Sequence, residues 1–202
     1  MGGDLYHLFE LSGGRLGVVI ADVSSHGFSA ALIMALTMSA IAIYAQEAGQ
    51  PGEVLRRLHQ ALIDELESTE MYLTILFAVV DPAGGEVLYS NAGHPHAFRV
   101  RADGSVDRLE ATSPPLGTFT LPEYGQRRMD WTADDLLLLF TDGLSDAFSG
   151  ESGISGEQQL LAEVIGMRDR EPGAILDHVF EVAGNGQTDV PPDDRTAVLL
   201  RS

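Results

Sequence analysis

Four aspartates stand where apolar runs give way to Gly, Ser or Pro turns. Asp4 lies just before Leu5–Leu11, and Asp22 ends the run Arg15–Asp22. Asp142 follows Asp135–Thr141, and Asp193, with Asp194 behind it, precedes Thr196–Arg201. Hard carboxylate oxygens in a chain without cysteine suit Mg²⁺ or Mn²⁺. Two such ions near each other can hold and ionise a water and clamp a phosphoryl oxygen. Taken singly, each aspartate also reads as a turn or helix-capping residue. Four at equivalent strand ends weigh against coincidence, although chain spacing leaves their convergence open.

The elements that must position them follow from hydrophobic patterning. Gly17–Gly27 (GVVIADVSSHG) reads as a buried strand that delivers Asp22 into a polar turn. A strand end of that kind is a rigid platform for chemistry. Leu5–Leu11 is the preceding strand, turned by Ser12-Gly13-Gly14. Phe28–Glu47 is an apolar helix enclosed by sheet and other helices, broken at Gly49–Gly52. Glu53–Glu67 is an amphipathic helix with Leu55, Leu58, Leu62 and Leu66 on one face; Arg56 and Arg57 read as its solvated side. Tyr72–Asp81 and Glu86–Ala92 form a hairpin. His96–Arg101 is a strand, and Gly125–Trp131 with Asp135–Thr141 reads as a further strand pair. Glu157–Met167 and Pro172–Ala183 are helices, and Thr196–Arg201 is the last strand. Strands arrive in blocks and helices in pairs, which predicts α+β: two antiparallel sheets flanked by helix pairs, a four-layer α-β-β-α sandwich.

Composition narrows the partners. Thirty acidic residues face 12 basic ones, all Arg, for a net charge of −18. That charge repels phosphate backbones and anionic lipid, which argues against nucleic acid and membrane insertion. The absence of cysteine removes disulfides, thiolate sites and Cys nucleophiles and fits a cytoplasmic protein. No signal peptide precedes the first motif. Phe28–Ala45 approaches spanning length, but Ser29, Thr37 and Ser39 interrupt it and no basic residues flank it.

Six motifs in order carry a resemblance that covers essentially the whole chain: GGD at Gly2–Asp4, ADVSSHG at Ala21–Gly27, Met71–Pro95, PPLG at Pro114–Gly117, FTDGLSDA at Phe140–Ala147, and DDRTAVLL at Asp193–Leu200. The chain resembles the metal-dependent protein phosphatase (PPM) superfamily, most closely its bacterial SpoIIE/RsbU-like branch. The resemblance implies an α-β-β-α sandwich with two Mn²⁺ or Mg²⁺ ions at one sheet edge. By position, Asp22 would bridge the metals, the Val23 carbonyl would bind one, Asp142 and Asp193 would hold the other, and Asp4 would bind directly or through water. Asp22, Asp142 and Asp193 would thereby be the catalytic set. A bridging water would attack phosphoserine or phosphothreonine of a protein. The branch's usual substrate is a phosphorylated STAS-domain anti-anti-sigma protein.

Departures from the pattern matter. The family often reads GGDxxD, but position 7 is His7, which would serve as a metal ligand, a group behind one, or a plain sheet-surface residue. Ser25 stands where Gly is frequent. The family carries a strand before GGD, so the chain is expected to be a single phosphatase domain over residues 1–202, cut from a longer regulatory protein and short of that strand. The open edge would favour a homodimer. Asp146 reads as a helix-start cap or a weaker metal site, and Asp194 as surface or a support for its neighbour. Asn91, Gly93 and His94 form a turn near the sheet edge, read as structural first and as a substrate approach second. His26 would orient the acidic turn or contact phosphate, and Arg195 would screen the acidic pair, meet substrate or lie on the surface. Two rival readings remain: a weakly active or inactive module that works by partner binding in sigma-factor regulation, and a metal hydrolase of small phosphoesters.

Overall fold

The structure is a computed structural model that describes residues 3–119, 123–148, 153–184 and 193–202. Gly2 of the first motif and residues 185–192 of the predicted proline-containing loop lie outside the described residues. In chain order the elements are β1 (Asp4–Leu11), β2 (Arg15–Val23), α1 (Phe28–Ala48), α2 (Pro51–Thr69), β3 (Leu73–Asp81), β4 (Glu86–Ala92), β5 (Ala97–Val100) and β6 (Val106–Arg108). They continue with β7 (Arg127–Asp130), β8 (Leu136–Phe140), α3 (Asp142–Asp146), α4 (Gly156–Gly166), α5 (Pro172–Gly184) and β9 (Ala197–Arg201). The chain divides into two compact units, Met1–Pro95 with Leu109–Thr132 and His96–Arg108 with Ala133–Ser202. Each has its own antiparallel sheet and helices, which is the α+β class the sequence predicts.

The first unit holds a five-stranded sheet in the order β1-β2-β3-β4-β7. Strand period two sorts its side chains. Val19, Ala21 and Val23 of β2 and Ile75, Phe77 and Val79 of β3 point to the helix-covered face, where they meet Ile33 of α1 and Leu55, Leu58 and Leu62 of α2. Each of those buried leucines contributes roughly 1.5–3 kcal/mol of transfer free energy. The leucine face predicted for α2 is thus the buried one, and Arg56 and Arg57 lie outside it, both paired with Glu53 at 2.7 and 2.8 Å.

The second unit holds a four-stranded sheet in the order β6-β5-β8-β9. Phe98, Leu136, Leu138 and Phe140 pack with Leu160 and Val164 of α4 and Ile175 and Val179 of α5. All five residues of β8 are buried, as suits a strand with neighbours on both sides.

Two expectations are corrected. Gly125–Trp131 does not pair with Asp135–Thr141. β7 instead forms the edge beside β4, with Glu86 opposite Asp130, and β8 lies between β5 and β9. The polar RRMD sequence tolerates an exposed edge, whereas LLLLF needs a central position. The apolar α1 is not enclosed on all sides. Ala30, Ile33, Met34, Thr37, Ile41 and Ala45 are buried, while Phe28, Leu32, Leu36, Met38 and Ile43 remain exposed. By length and composition α1 could cross a membrane, but a third of that window is buried within the protein. Two short elements, β6 and α3, carry no legible period and were not anticipated.

Candidate active site

The antiparallel register of β1 and β2 places Asp4 directly opposite Asp22. Residues opposite each other in such a ladder point to the same face, so the two carboxylates stand side by side at the end of the sheet. Asp4 lies inside β1 rather than before it, because the ladder extends to its last residue. The Val23 amide donates to the Gly3 carbonyl at 3.2 Å and prolongs this pairing. On the other side, the Thr74 hydroxyl donates to the Asp22 carbonyl at 3.2 Å.

Beyond Val23 the chain leaves the strand. Ser25 N–H donates back to the Val23 carbonyl at 2.7 Å. A methyl group built on Gly3 would stand 3.1 Å from Asp22 Oδ1, 3.1 Å from the Ser25 carbonyl oxygen and 3.2 Å from the Val23 carbonyl oxygen. Glycine at position 3 therefore leaves open a small space walled by three oxygens, with no nitrogen or sulfur among those atoms. Such a donor set fits a hard divalent cation and not a soft one.

His7 is three residues from Asp4 and so lies on the opposite, helix-covered face of β1. Its ring is 5.2 Å from that of Phe9, itself packed against the core. The alternation removes His7 from the carboxylate pair. Ser25 contributes through its carbonyl, so the replacement of the family's frequent Gly leaves that oxygen in place. His26 is exposed.

In the second unit, Asp142 opens α3 directly after β8, and Asp193–Asp194 leads into β9. The two segments are bound together. Thr141 N–H donates to the Thr196 carbonyl at 3.0 Å, and Thr196 N–H donates to the Thr141 hydroxyl at 3.1 Å. Gly143 faces Asp193 and Asp194 so closely that an added methyl would lie 3.2 Å from the Asp193 Cβ and against the Asp194 carbonyl. Asp193 Oδ1 accepts the Asp194 amide at 2.9 Å. Thr141 was not singled out by sequence. Its signal is a threonine at a strand end, next to an aspartate, matched by Thr196 near the other aspartates.

The remaining candidates separate from these pairs. Asp146 ends α3 instead of starting a helix, because α3 begins at Asp142. Arg195 donates to the Ala183 carbonyl at 3.0 Å, near the C-terminal end of α5, a favourable place for a cation. Asn91 is buried and structural: its amide donates to the carbonyls of His94 and Leu109 at 2.9 and 2.8 Å and its oxygen accepts from His94 N–H at 2.8 Å. Among the described residues no group of three or more His, Asp or Glu side chains gathers at one point. Each unit brings together two of the predicted acidic positions, Asp4 with Asp22 and Asp142 with Asp193.

Residues 12–202 match the family model described as Stage II sporulation protein E (SpoIIE). The chain belongs to the SpoIIE family. This is the branch of the metal-dependent protein serine/threonine phosphatases to which the six motifs point. Among SpoIIE-like relatives, the phosphoserine phosphatase RsbP of Bacillus subtilis is 36% identical over 152 residues, covering 72% of this chain and 37% of RsbP. The chain spans less than two thirds of the first curated relatives it matches, 37%, 35% and 59% of their lengths. Among solved structures, the RsbU and RsbW domains of Rv1364c from Mycobacterium tuberculosis share 25% identity with a TM-score of 0.83, covering all of this chain and 55% of that one. The catalytic domain of the serine/threonine phosphatase PstP, solved with two manganese ions, has the same fold at 19% identity and a TM-score of 0.69, covering 98% of this chain and 90% of that one.

Proposed function

We propose that residues 1–202 act as one phosphatase domain that hydrolyses phosphoserine or phosphothreonine on a regulatory protein in the cytoplasm, a STAS-type anti-anti-sigma factor being the substrate class. The observation that carries this reading is the in-register Asp4–Asp22 pair beside the Val23 carbonyl, walling an oxygen-lined space at Gly3. Asp22 would be shared by two Mn²⁺ or Mg²⁺ ions. The Val23 carbonyl and Asp4 would complete one site, and Asp142 and Asp193 the other. Bound cations supply a polarised water near neutral pH and offset the charge of a phosphomonoester.

The protein's own contribution is to hold oxygens in place. Asp22 is steadied by the β-ladder and by Thr74, Asp193 by its bond to the following amide, and Asp142 by the Thr141–Thr196 tie. A chain of net charge −18 would repel a phosphate dianion from bare carboxylates, so these aspartates serve by binding cations and not by touching phosphate directly. The name of RsbP as a phosphoserine phosphatase and the two manganese ions of PstP support the reading by relationship.

The test is phosphate release from a phosphoserine STAS protein with Mn²⁺ or with EDTA, for wild type and Asp22→Asn. Turnover that requires Mn²⁺ and falls at least about 100-fold in the variant is expected, since a positioned electrostatic group contributes on that scale. Equal turnover in EDTA, or an unaffected Asp22→Asn, would overturn the metal reading. A preference for small phosphoesters over the phosphoprotein would overturn the substrate class.

A further inference from the structure

The β2–β3 ladder ends in an unusual way. Its last paired residues are Val23 and Leu73, and the next rung would join Ser24 with Tyr72. Half of that rung is ordinary: Ser24 N–H donates to the Tyr72 carbonyl at 3.0 Å. In the other half, Tyr72 N–H donates to the Ser24 hydroxyl, also at 3.0 Å. In a regular rung of this kind the acceptor would be the Ser24 carbonyl. The side chain takes that place and frees the backbone of residue 24 from the strand. The chain can then turn at once, which lets Ser25 N–H reach the Val23 carbonyl at 2.7 Å and brings the Ser25 and Val23 carbonyls to one space with Asp22 Oδ1.

The partner strand is firmly held at this point. Met71 N–H donates to the Leu66 carbonyl at 3.0 Å at the end of α2, and Leu73 exchanges two backbone bonds of 2.9 Å with Leu116. Tyr72 lies between these anchors, so its amide is a fixed donor. The Ser24 hydroxyl is the adaptable group that docks the β2 tip onto it.

We propose that Ser24 is a positioning residue for the metal-binding oxygens: its hydroxyl completes the β2–β3 ladder in place of its own carbonyl and thereby sets the Val23 carbonyl beside Asp22. This rests on the metal reading above. Alanine would still donate its N–H to the Tyr72 carbonyl but would leave Tyr72 N–H to water. The oxygens would then sample the site less often. One lost hydrogen bond of this kind corresponds to about two- to tenfold in an equilibrium.

The test is Mn²⁺ binding by titration calorimetry on the whole chain, for wild type, Ser24→Ala and Ser24→Thr, with melting curves in EDTA. Ser24→Ala is expected to bind Mn²⁺ about two- to tenfold more weakly, with a metal-free melting curve that stays cooperative and falls by only the few degrees that one hydrogen bond accounts for. Its phosphatase kcat should recover at saturating Mn²⁺. Ser24→Thr, which keeps the hydroxyl, should restore wild-type affinity. Wild-type affinity in Ser24→Ala, or equal weakening in Ser24→Thr, would overturn the role given to the hydroxyl. A wild-type chain that takes up no Mn²⁺ would overturn the metal reading first and this inference with it.

Discussion

Gly143 is the position where a single methyl group tests how the acidic segments of the second unit are held. It sits in α3 between Asp142 and Leu144 and is buried. A Cβ there would lie 3.1 Å from the Asp194 carbonyl carbon and 3.2 Å from the Asp193 Cβ, and still closer to the Asp194 carbonyl oxygen. Carbon atoms normally rest about 3.5–4.0 Å apart, and the closer carbonyl oxygen sets the larger demand, so the Asp193–Asp194 segment must retreat by roughly 1 Å or slightly more. Two effects oppose each other. Alanine in place of glycine within a helix stabilises by about 1 kcal/mol. Overpacking against backbone costs about 1–3 kcal/mol, and here the obstacle is a main-chain carbonyl rather than a flexible side chain. The clash should therefore win. We expect Gly143→Ala to melt lower by about 2–4 °C per kcal/mol lost. A displacement near 1 Å at a site that depends on placement costs about 100-fold in turnover. Phosphate release with Mn²⁺ and a thermal melt in EDTA measure the two effects. Gly173 in α5 is the control, since nothing lies within 4 Å of an added Cβ; Gly173→Ala should be neutral or stabilising and fully active. A Gly143→Ala protein that is more stable than wild type and equally active would refute the packing argument.

Two further outcomes follow from charges. Arg99 and Asp135 are 4% and 1% exposed and 3.3 Å apart, so Arg99→Met alone should lower stability by about 3–5 kcal/mol by leaving a buried carboxylate, and adding Asp135→Leu should recover most of it; urea denaturation of both variants decides this. Side-chain hydrogen bonds from Arg56, then Arg57, hold the Glu53 carboxyl at about 2, below its ordinary 4.5. Because the folded value is depressed, the stabilisation is present above about 4.5 and is lost as pH falls towards 2; melts from pH 6 to pH 3 should therefore show the advantage of wild type over Glu53→Gln shrinking with acidity.

Much of the molecule was legible in the chain itself. The Leu55, Leu58, Leu62 and Leu66 face of α2, the β3–β4 hairpin and the helix pairs follow from periodicity, because burial of one face imposes a period that a sequence must carry. The aspartates at strand ends are legible for a similar reason, since an apolar run must stop where a polar group is needed. The ordered motifs then identify the family. What patterning could not reveal is partnership. β7 pairs with β4 and not with β8 because strand pairing is decided by which edge is free and which strand can be buried on both sides, a property of the whole sheet. The motif alone leaves His7 open as a metal ligand or a sheet-surface residue, and its odd offset from Asp4 in an unbroken ladder sends it to the other face. The oxygens around Gly3 and the contact of Gly143 with Asp193–Asp194 join residues far apart in the chain or belong to main-chain atoms without a residue type. Side-chain chemistry is written in the sequence; the placement of carbonyls, on which a hard-cation site depends as much as on carboxylates, is decided by tertiary structure alone.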